Sequence, residues 1–188
     1  VLGSLDQGDD ERYVDTAIQK NWVSLTSKNG GRLTGMGGPI TNGLIYAFKY
    51  RQIWRLVPTG EVTAPYLVRK VSNTIGCIRH RTIVMAEDAI GNSALYFLSH
   101  KGPYRISVDG VEYLGRDIED QWYGKNGLTA VNLAAYTVAH GIYHSDLNQI
   151  WWWVATGTDV RPSVRLVLDL KQAARKDQYG VRGGWSIH

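Results

Sequence analysis

Two stretches of the sequence match at a constant offset of fifty residues: Leu44-Ile-Tyr-Ala-Phe-Lys-Tyr-Arg-Gln-Ile-Trp-Arg-Leu56 and Ala94-Leu-Tyr-Phe-Leu-Ser-His-Lys-Gly-Pro-Tyr-Arg-Ile106. Chemically similar side chains kept at one fixed offset indicate a repeated supersecondary unit. A period of about 40 to 50 residues built from short strands is typical of a propeller blade. The matched anchors are Tyr46 with Tyr96, Trp54 with Tyr104, Arg55 with Arg105 and Gly60 with Gly110.

A third copy of the repeat follows, with a longer connection between its two central strands. Residues 149–154 take the place of the first aromatic strand, with Trp152 as the anchor, and residues 164–169 take the place of the second. The connection over 155–163 is rich in Gly, Pro and Asp, and a hairpin absorbs such an insertion at its exposed tip. A closing outer strand around Trp185 completes this copy.

The sequence predicts an all-β fold. Seven Trp and eleven Tyr against two Phe, together with 21 Gly, favour pleated strands and tight turns over a helical bundle. We expect a partial β-propeller of about three four-stranded antiparallel blades plus one extra outer strand, as part of a larger propeller, since propellers close with about four to eight blades. The predicted divisions are an N-terminal extension or linker over 1–20, an outer strand over 21–30, and blades over 32–74, 75–123 and 128–188.

Three strand predictions have bounds that the structure tests directly. The inner strand of the second blade is predicted over 76–86, and its last strand over 111–117. The inner strand of the third blade is predicted over 135–143, and residues 128–136 are interpreted as the approach to it, in preference to a short helix. In the first blade, glycines at 35, 37 and 38 predict a close backbone approach near the propeller axis, where little side chain is tolerated.

Composition narrows the class of protein. A content of 44% hydrophobic and 20% charged residues is ordinary for a soluble globular domain. The single cysteine, Cys77, excludes an internal disulfide and is predicted to be a small buried residue on a strand. No apolar run is long enough to span a membrane. The chain begins with Val1, followed by a polar and acidic stretch, so we expect a processed product or a segment of a longer polypeptide.

The formal net charge of +4 is mild. Such a charge permits weak contact with a polyanion, but the sequence shows no clustered Lys and Arg face that would establish it. Charge alone therefore does not predict nucleic-acid binding.

Two histidines have the spacing of a metal-binding pair. His140 and His144 are four residues apart, which would align both imidazoles on a helix. Gly141 and the β-favouring residues around it argue for a strand and a turn, and the zinc-protease pattern lacks its glutamate and its helix. The sequence therefore predicts no metal site.

Other groups have the residue types of catalytic sites without the necessary arrangement. The acidic run at 117–120 supplies the types for glycosidic acid and base chemistry, but a charged run at a strand end is usually solvated surface. Ser99-His100 and Ser145-Asp146 bring triad residue types together without a nucleophile elbow. The sequence predicts no catalytic residue, no cofactor and no enzyme.

A run of three tryptophans lies in the third copy. On a strand, Trp151 and Trp153 share one face while Trp152 takes the other. We expect all three to pack between blades, because large aromatic side chains in sheets mostly bury area. The alternative is a surface patch that stacks on sugars or faces a membrane.

Residues 94–122, from Ala94-Leu-Tyr-Phe-Leu-Ser through Asp109-Gly110 to Ile118-Glu119, resemble a stretch common in bacteriophage tail and head-tail propeller proteins. The later Gln149-Ile-Trp-Trp-Trp, Leu166-Val-Leu-Asp-Leu and Gly184-Trp185 are similar to the same proteins, and the likeness covers about residues 40–188. The similar proteins are the tail nozzles, also called tail tubular proteins, and the packaged-DNA stabilisation proteins of short-tailed phages.

This resemblance implies a structural virion protein of the phage tail. It implies a homo-oligomer, a hexamer around the tail axis, that forms part of the nozzle or head-tail conduit and retains and channels genomic DNA. The implied partners are other tail proteins, such as the adapter and the fibres, and the DNA in the channel. Two alternatives remain: a protein-binding scaffold of the Kelch or WD class, and a carbohydrate-active propeller enzyme.

Overall fold

The structure, a computed structural model, describes residues 25, 31–62, 64–87, 91–173, 176–177, 180–181 and 184–188. Within these residues the chain forms three four-stranded antiparallel sheets and one two-stranded ribbon. The prediction of an all-β protein is confirmed. The predicted extension over 1–20 and outer strand over 21–30 lie outside the described residues, apart from residue 25, and the division into domains stays a prediction.

Each four-stranded sheet is a meander in which consecutive strands pair. The first sheet contains β1 (Leu33–Ile40), β2 (Leu44–Lys49), β3 (Ile53–Pro58) and β4 (Tyr66–Ser72). The second contains β5 (Val84–Glu87), β6 (Ser93–Ser99), β7 (Gly102–Ser107) and β8 (Gly110–Tyr113). The third contains β9 (His140–His144), β10 (Gln149–Val154), β11 (Val164–Asp169) and β14 (Trp185–Ile187), with the ribbon β12 (Lys176–Asp177) and β13 (Gly180–Val181) before its last strand.

Short helical segments lie in the connections between strands, both within and between the sheets. The α-helices are α1 (Glu119–Tyr123) and α2 (Leu170–Ala173), and 3-10 turns span Thr41–Gly43, His80–Thr82, Gly115–Ile118 and Leu133–Val138. No helix in the part of the chain that the structure describes is long and apolar enough to cross a membrane.

Two apolar clusters join the three sheets in chain order. The first cluster packs the first sheet on one face of the second, and the rings of Phe48 and Phe97 lie 4.9 Å apart within it. The second cluster packs the opposite face of the second sheet, including Tyr96 and Leu98, on the third sheet around Trp152. Strand β6 is therefore covered on both faces, which explains its uninterrupted apolar sequence.

Strand β1 approaches the second sheet and the connection before it closely at two of its glycines, and the predicted propeller axis stays a prediction. A Cβ atom at Gly37 would lie 2.8 Å from a methyl carbon of Leu95, and one at Gly35 would lie 2.6 Å from Ile83 Cδ1. At Gly37 the neighbours are side-chain methyl groups that would have to shift, whereas at Gly35 an added Cβ would also lie 2.9 Å from the backbone at His80 Cα.

The last strand of the second sheet is shorter than predicted. β8 ends at Tyr113, and the residues predicted to continue it to Asp117 form a 3-10 turn that leads into α1. Glu119 and Asp120 occupy the first turn of α1, where negative charge is favourable. Gly124 ends the helix with φ 67°, and its N–H donates to the Asp120 carbonyl.

Both predicted inner strands begin later than expected. In the second sheet the strand predicted from residue 76 begins at Val84, after the 3-10 turn at His80–Thr82. In the third sheet the strand predicted from residue 135 begins at His140. The preceding 3-10 turn is stabilised by Asn132, whose side-chain oxygen accepts a hydrogen bond from the Ala134 N–H at 3.0 Å.

Candidate interaction surface on the third sheet

An aromatic side chain faces an arginine across the central hairpin of the first two sheets. Tyr46 pairs with Arg55, and Tyr96 pairs with Arg105, so the anchors matched in the sequence occupy equivalent places. Both tyrosines are buried, with 1% and 2% of their surface exposed. In each case the tyrosine belongs to the cluster that packs against the next sheet along the chain. Tyr46 also donates a hydrogen bond from its hydroxyl to the Ser107 carbonyl of the second sheet, at 3.0 Å.

The charged members of these pairs are held by neighbours. Arg105 forms an ion pair of 2.7 Å with Glu112, its cross-strand partner on β8. Burial raises the pKa of the Tyr46 phenol, and the positive charge of Arg55 beside it lowers the same pKa in part. The phenol therefore remains protonated and able to donate across the interface between sheets.

The remaining anchors of the first two sheets have structural surroundings. Trp54 is buried on the face of the first sheet that points away from the second, with Lys70 Nζ 4.6 Å from its ring centroid. Tyr104 is buried against the first sheet. Gly60 and Gly110 have φ values of 78° and 125°, which favour glycine at these turns.

The two tryptophan anchors of the third sheet contact each other. Trp152 is fully buried. Its Nε1 donates to the Thr82 carbonyl, in the connection between the first and second sheets, at 2.9 Å. Trp185 stacks on it with ring centroids 5.9 Å apart, and donates from Nε1 to the Leu114 carbonyl at 2.9 Å. Both indoles thus tie the third sheet to the second.

The third sheet repeats the aromatic and arginine pair at a position that the sequence comparison missed. Trp153 pairs with Arg165 across β10 and β11. Trp152, taken from the sequence as the anchor, lies on the opposite face, toward the second sheet. The pairs are nine residues apart in the first two sheets (55 − 46 and 105 − 96) and twelve in the third (165 − 153), because the loop is longer. Aligning the arginines instead of the tryptophans finds the pair.

The pair in the third sheet lies on the face that points away from the second sheet, which we call the outward face. His140 stacks on Trp153 with ring centroids 5.1 Å apart, and His144 packs against Trp151 at 5.0 Å. The Arg165 guanidinium lies 4.7 Å from the Trp151 ring centroid. The expectation that all three tryptophans are packed holds fully only for Trp152, because Trp151 and Trp153 are half-buried.

The outward face has features of an incomplete interface. Ile142, between the two histidines on β9, is 46% exposed. Within the described residues, Arg165 Nε and His144 Nδ1 are shielded from solvent and have no hydrogen-bond partner, but Arg55 Nε on the covered face of the first sheet is in the same state, so this feature does not distinguish the outward face. The equivalent faces of the first two sheets are both covered.

The histidine pair is explained by this packing. Both side chains lie on a strand, as the sequence predicts, and each stacks on its own tryptophan. Among the residues that the structure describes, no group of three or more His, Cys, Asp or Glu side chains could hold a metal ion.

Among the described residues, the residue types of catalytic sites do not meet in the cavity beside Trp185. An open cavity of about 540 Å³ is lined by Asp117, Ile118, Trp185, Ser186 and Ile187, so it holds a single carboxylate, whereas glycosidic acid and base chemistry uses two. Ser99 Oγ lies 3.3 Å from His100 Nδ1, but Ser99 is fully buried. Ser145 donates only to the adjacent Asp146, at 3.3 Å in an exposed turn.

Comparison of the sequence with models of protein families and with curated proteins gives no match.

Cys77 is buried as predicted, but it lies in the connection between the first two sheets and not on a strand. Burial raises the pKa of its thiol to about 12, against smaller opposing effects of Thr82 and the Arg79 carbonyl. We expect iodoacetamide at pH 8 to leave Cys77 unlabelled in the folded protein and to label it fully in denaturant, as measured by mass spectrometry. Rapid labelling of the folded protein would contradict this placement.

Proposed function

We propose that this chain is a structural component of the tail of a short-tailed phage, and that its three sheets are consecutive blades of a larger β-propeller. In this role the protein forms part of the nozzle or head-tail conduit that retains and channels genomic DNA. It works as a homo-oligomer, a hexamer around the tail axis, in contact with other tail proteins such as the adapter and the fibres.

The observation that carries the proposal is the aromatic and arginine pair that recurs on the same face of every sheet. Tyr46 with Arg55 and Tyr96 with Arg105 each lie beneath the following sheet, and Trp153 with Arg165 lies on the outward face. A unit that adds its neighbour through the same face each time generates a propeller. The outward face is then the surface that receives a further sheet.

A mechanical role agrees with the burial pattern. The second sheet is covered on both faces by apolar clusters, so the packing resists shear between sheets. The chemistry of a conduit is passive, and we propose no catalytic step for this chain. The second candidate, a protein-binding propeller scaffold, is favoured by the half-exposed aromatic side chains of the outward face.

The proposal is tested by native mass spectrometry and electron microscopy of the purified chain. We expect rings with an axial channel. In the purified chain a second copy supplies the sheet that covers the outward face, so Trp153→Glu, which places a carboxylate there, is expected to release smaller species. Leu147→Glu is the matched control, since Leu147 is 47% exposed in the turn after β9 and the same change there should leave the rings intact.

Two results would contradict the proposal. A stable monomer that binds short peptides would favour the scaffold. A polysaccharide hydrolase activity that is lost in Glu119→Gln would instead favour the enzyme.

A further inference from the structure

The loops between the strands fall at two opposite ends of the three sheets. Each meander reverses direction at every turn, so the second turn of a sheet and the connection to the next sheet lie at the same end. We call this the linker end, and it comprises residues 31–32, 50–52, 73–83, 100–101, 114–139 and 155–163. The opposite hairpin end comprises, among described residues, 41–43, 59–62, 64–65, 91–92, 108–109, 145–148 and the connection from β11 to β14 over 170–173, 176–177, 180–181 and 184.

Contacts between the sheets show that the linker ends of all three lie together. The rings of Tyr50 and His100, from the first and second sheets, are stacked with centroids 5.2 Å apart. Trp122 Nε1 in α1 donates to the His100 carbonyl at 3.4 Å. The Asn132 N–H donates to the Ala155 carbonyl at the end of β10, at 2.8 Å. These segments therefore form one continuous surface.

Exposed basic side chains are more numerous at the linker end than at the hairpin end, where Lys171 is the one that the described residues show. The net charge of the whole chain hides this difference. Exposed basic side chains at the linker end are Arg32, Arg51, Arg81, Lys101, Arg116, Lys125 and Arg161. Exposed acidic side chains at the hairpin end and its strand termini are Glu61, Glu87, Asp109 and Asp146.

The basic side chains converge at the centre of the linker end. The Tyr123 hydroxyl donates to the Lys101 carbonyl at 3.2 Å, and Lys125 Nζ lies 5.5 Å from the Tyr123 ring centroid. Burial, and then the positive charges of Arg51 and Lys101, lower the pKa of His100 between them. Arg51, Lys101 and Lys125 thus surround an aromatic group formed by Tyr50, His100 and Tyr123, a combination that suits phosphates and bases.

Acidic side chains are also present at this end. Asp120 accepts a hydrogen bond from Asn126 Nδ2 at 2.7 Å, so its carboxylate is engaged within the loop. Asp117 and Asp159 are exposed. They bound the basic surface and limit the number of phosphates that it contacts.

We propose that the linker end binds the phosphate backbone of nucleic acid, through Arg51, Lys101 and Lys125. The inference deepens the proposed function, on which it rests, by naming the surface of the conduit that meets the DNA. Three phosphate contacts give a slope of about −2.7 for log K against log salt, at about −0.9 for each phosphate in duplex DNA. Binding of this kind is weak and independent of sequence, and it permits the strand to slide.

The test is fluorescence anisotropy of a labelled DNA duplex of about 30 base pairs, titrated with the purified chain at several KCl concentrations. We expect Arg51→Glu with Lys101→Glu to weaken binding at least about tenfold and to flatten the salt slope by about two, at about one for each lost contact. Lys125→Glu alone should flatten it by about one.

Arg69→Glu with Lys171→Glu is the matched control, because it makes the same change in net charge at exposed residues outside the linker end. We expect this control to keep the salt slope of the unaltered chain. Thermal unfolding confirms that each variant is folded. Equal losses in both double variants, or no binding at low salt, would overturn the inference. Tighter binding to polyglutamate than to the duplex would also overturn it, and would indicate that the linker end binds an acidic protein segment. Rings that form without binding DNA would overturn this inference alone and leave the proposed function standing.

Discussion

Replacing Trp152 with alanine is expected to lower the free energy of unfolding by about 3–5 kcal/mol, the usual cost of emptying a buried aromatic site. The Trp152 side chain is fully buried between the second and third sheets. Its Nε1 donates to the Thr82 carbonyl, and its ring covers Gly141, where an added Cβ would lie 2.4 Å from Trp152 Cδ1. The substitution therefore leaves a cavity and also an acceptor without its donor.

Urea denaturation of Trp152→Ala and Trp153→Ala measures this effect with an internal control. The two residues are adjacent on β10 and identical in type, but Trp153 is only half-buried, on the outward face. We expect Trp153→Ala to cost less than half as much as Trp152→Ala. Similar losses would show that the outward face is as well covered as the face toward the second sheet, contrary to this structure.

The central hairpins could be predicted because their residues are constrained by register. A tyrosine and an arginine kept at one offset must lie opposite each other if the turns match, and Tyr46 with Arg55 and Tyr96 with Arg105 do so. The pair Trp153 and Arg165 escaped this comparison because three extra residues in the loop shift the spacing. Loop length varies freely at an exposed tip, whereas cross-strand pairing does not.

The helical segments between the sheets could not be predicted from periodicity. The stretch at 115–123 has apolar residues that also suit a strand, and its helix spans only Glu119–Tyr123. Such a short helix depends on capping by Gly124 and on the packing of Trp122, which is 3% exposed. Tertiary contacts therefore determine that this segment is helical, although the residues around it favour a strand.

The candidate surfaces depend on topology in different degrees. Alternation along β10 predicts that Trp151 and Trp153 share a face, but the sequence does not say that no sheet among the described residues covers this face. The basic surface of the linker end is harder to predict from the sequence, because Arg51, Lys101 and Lys125 are brought together only by the stacking of separate sheets. Charge at turns becomes a surface only when the order of the strands is known.

Replacing Gly76 with alanine is expected to have the second large effect, about 3 kcal/mol of lost stability through overpacking. A Cβ atom at Gly76 would lie 2.0 Å from the Lys49 carbonyl oxygen and 2.7 Å from the Gln52 nitrogen. Both are backbone atoms of the hairpin between β2 and β3, where the Lys49 N–H donates to the Gln52 carbonyl at 2.9 Å. Backbone atoms cannot rotate away as a side chain can, so the segment around Gly76 must move away from the hairpin.

Gly60→Ala separates packing from backbone strain. Gly60 has nothing within 4 Å of an added Cβ but has a φ of 78°, so alanine there costs only the strain of a left-handed backbone, about 1–2 kcal/mol. Urea denaturation should therefore rank Gly76→Ala as the more damaging change. Hydrogen exchange should show early loss of protection at the Cys77 amide, which donates to the Lys49 carbonyl at 3.1 Å. If the two variants lose equal stability, the connection between the first and second sheets is not packed against the hairpin as closely as these distances require.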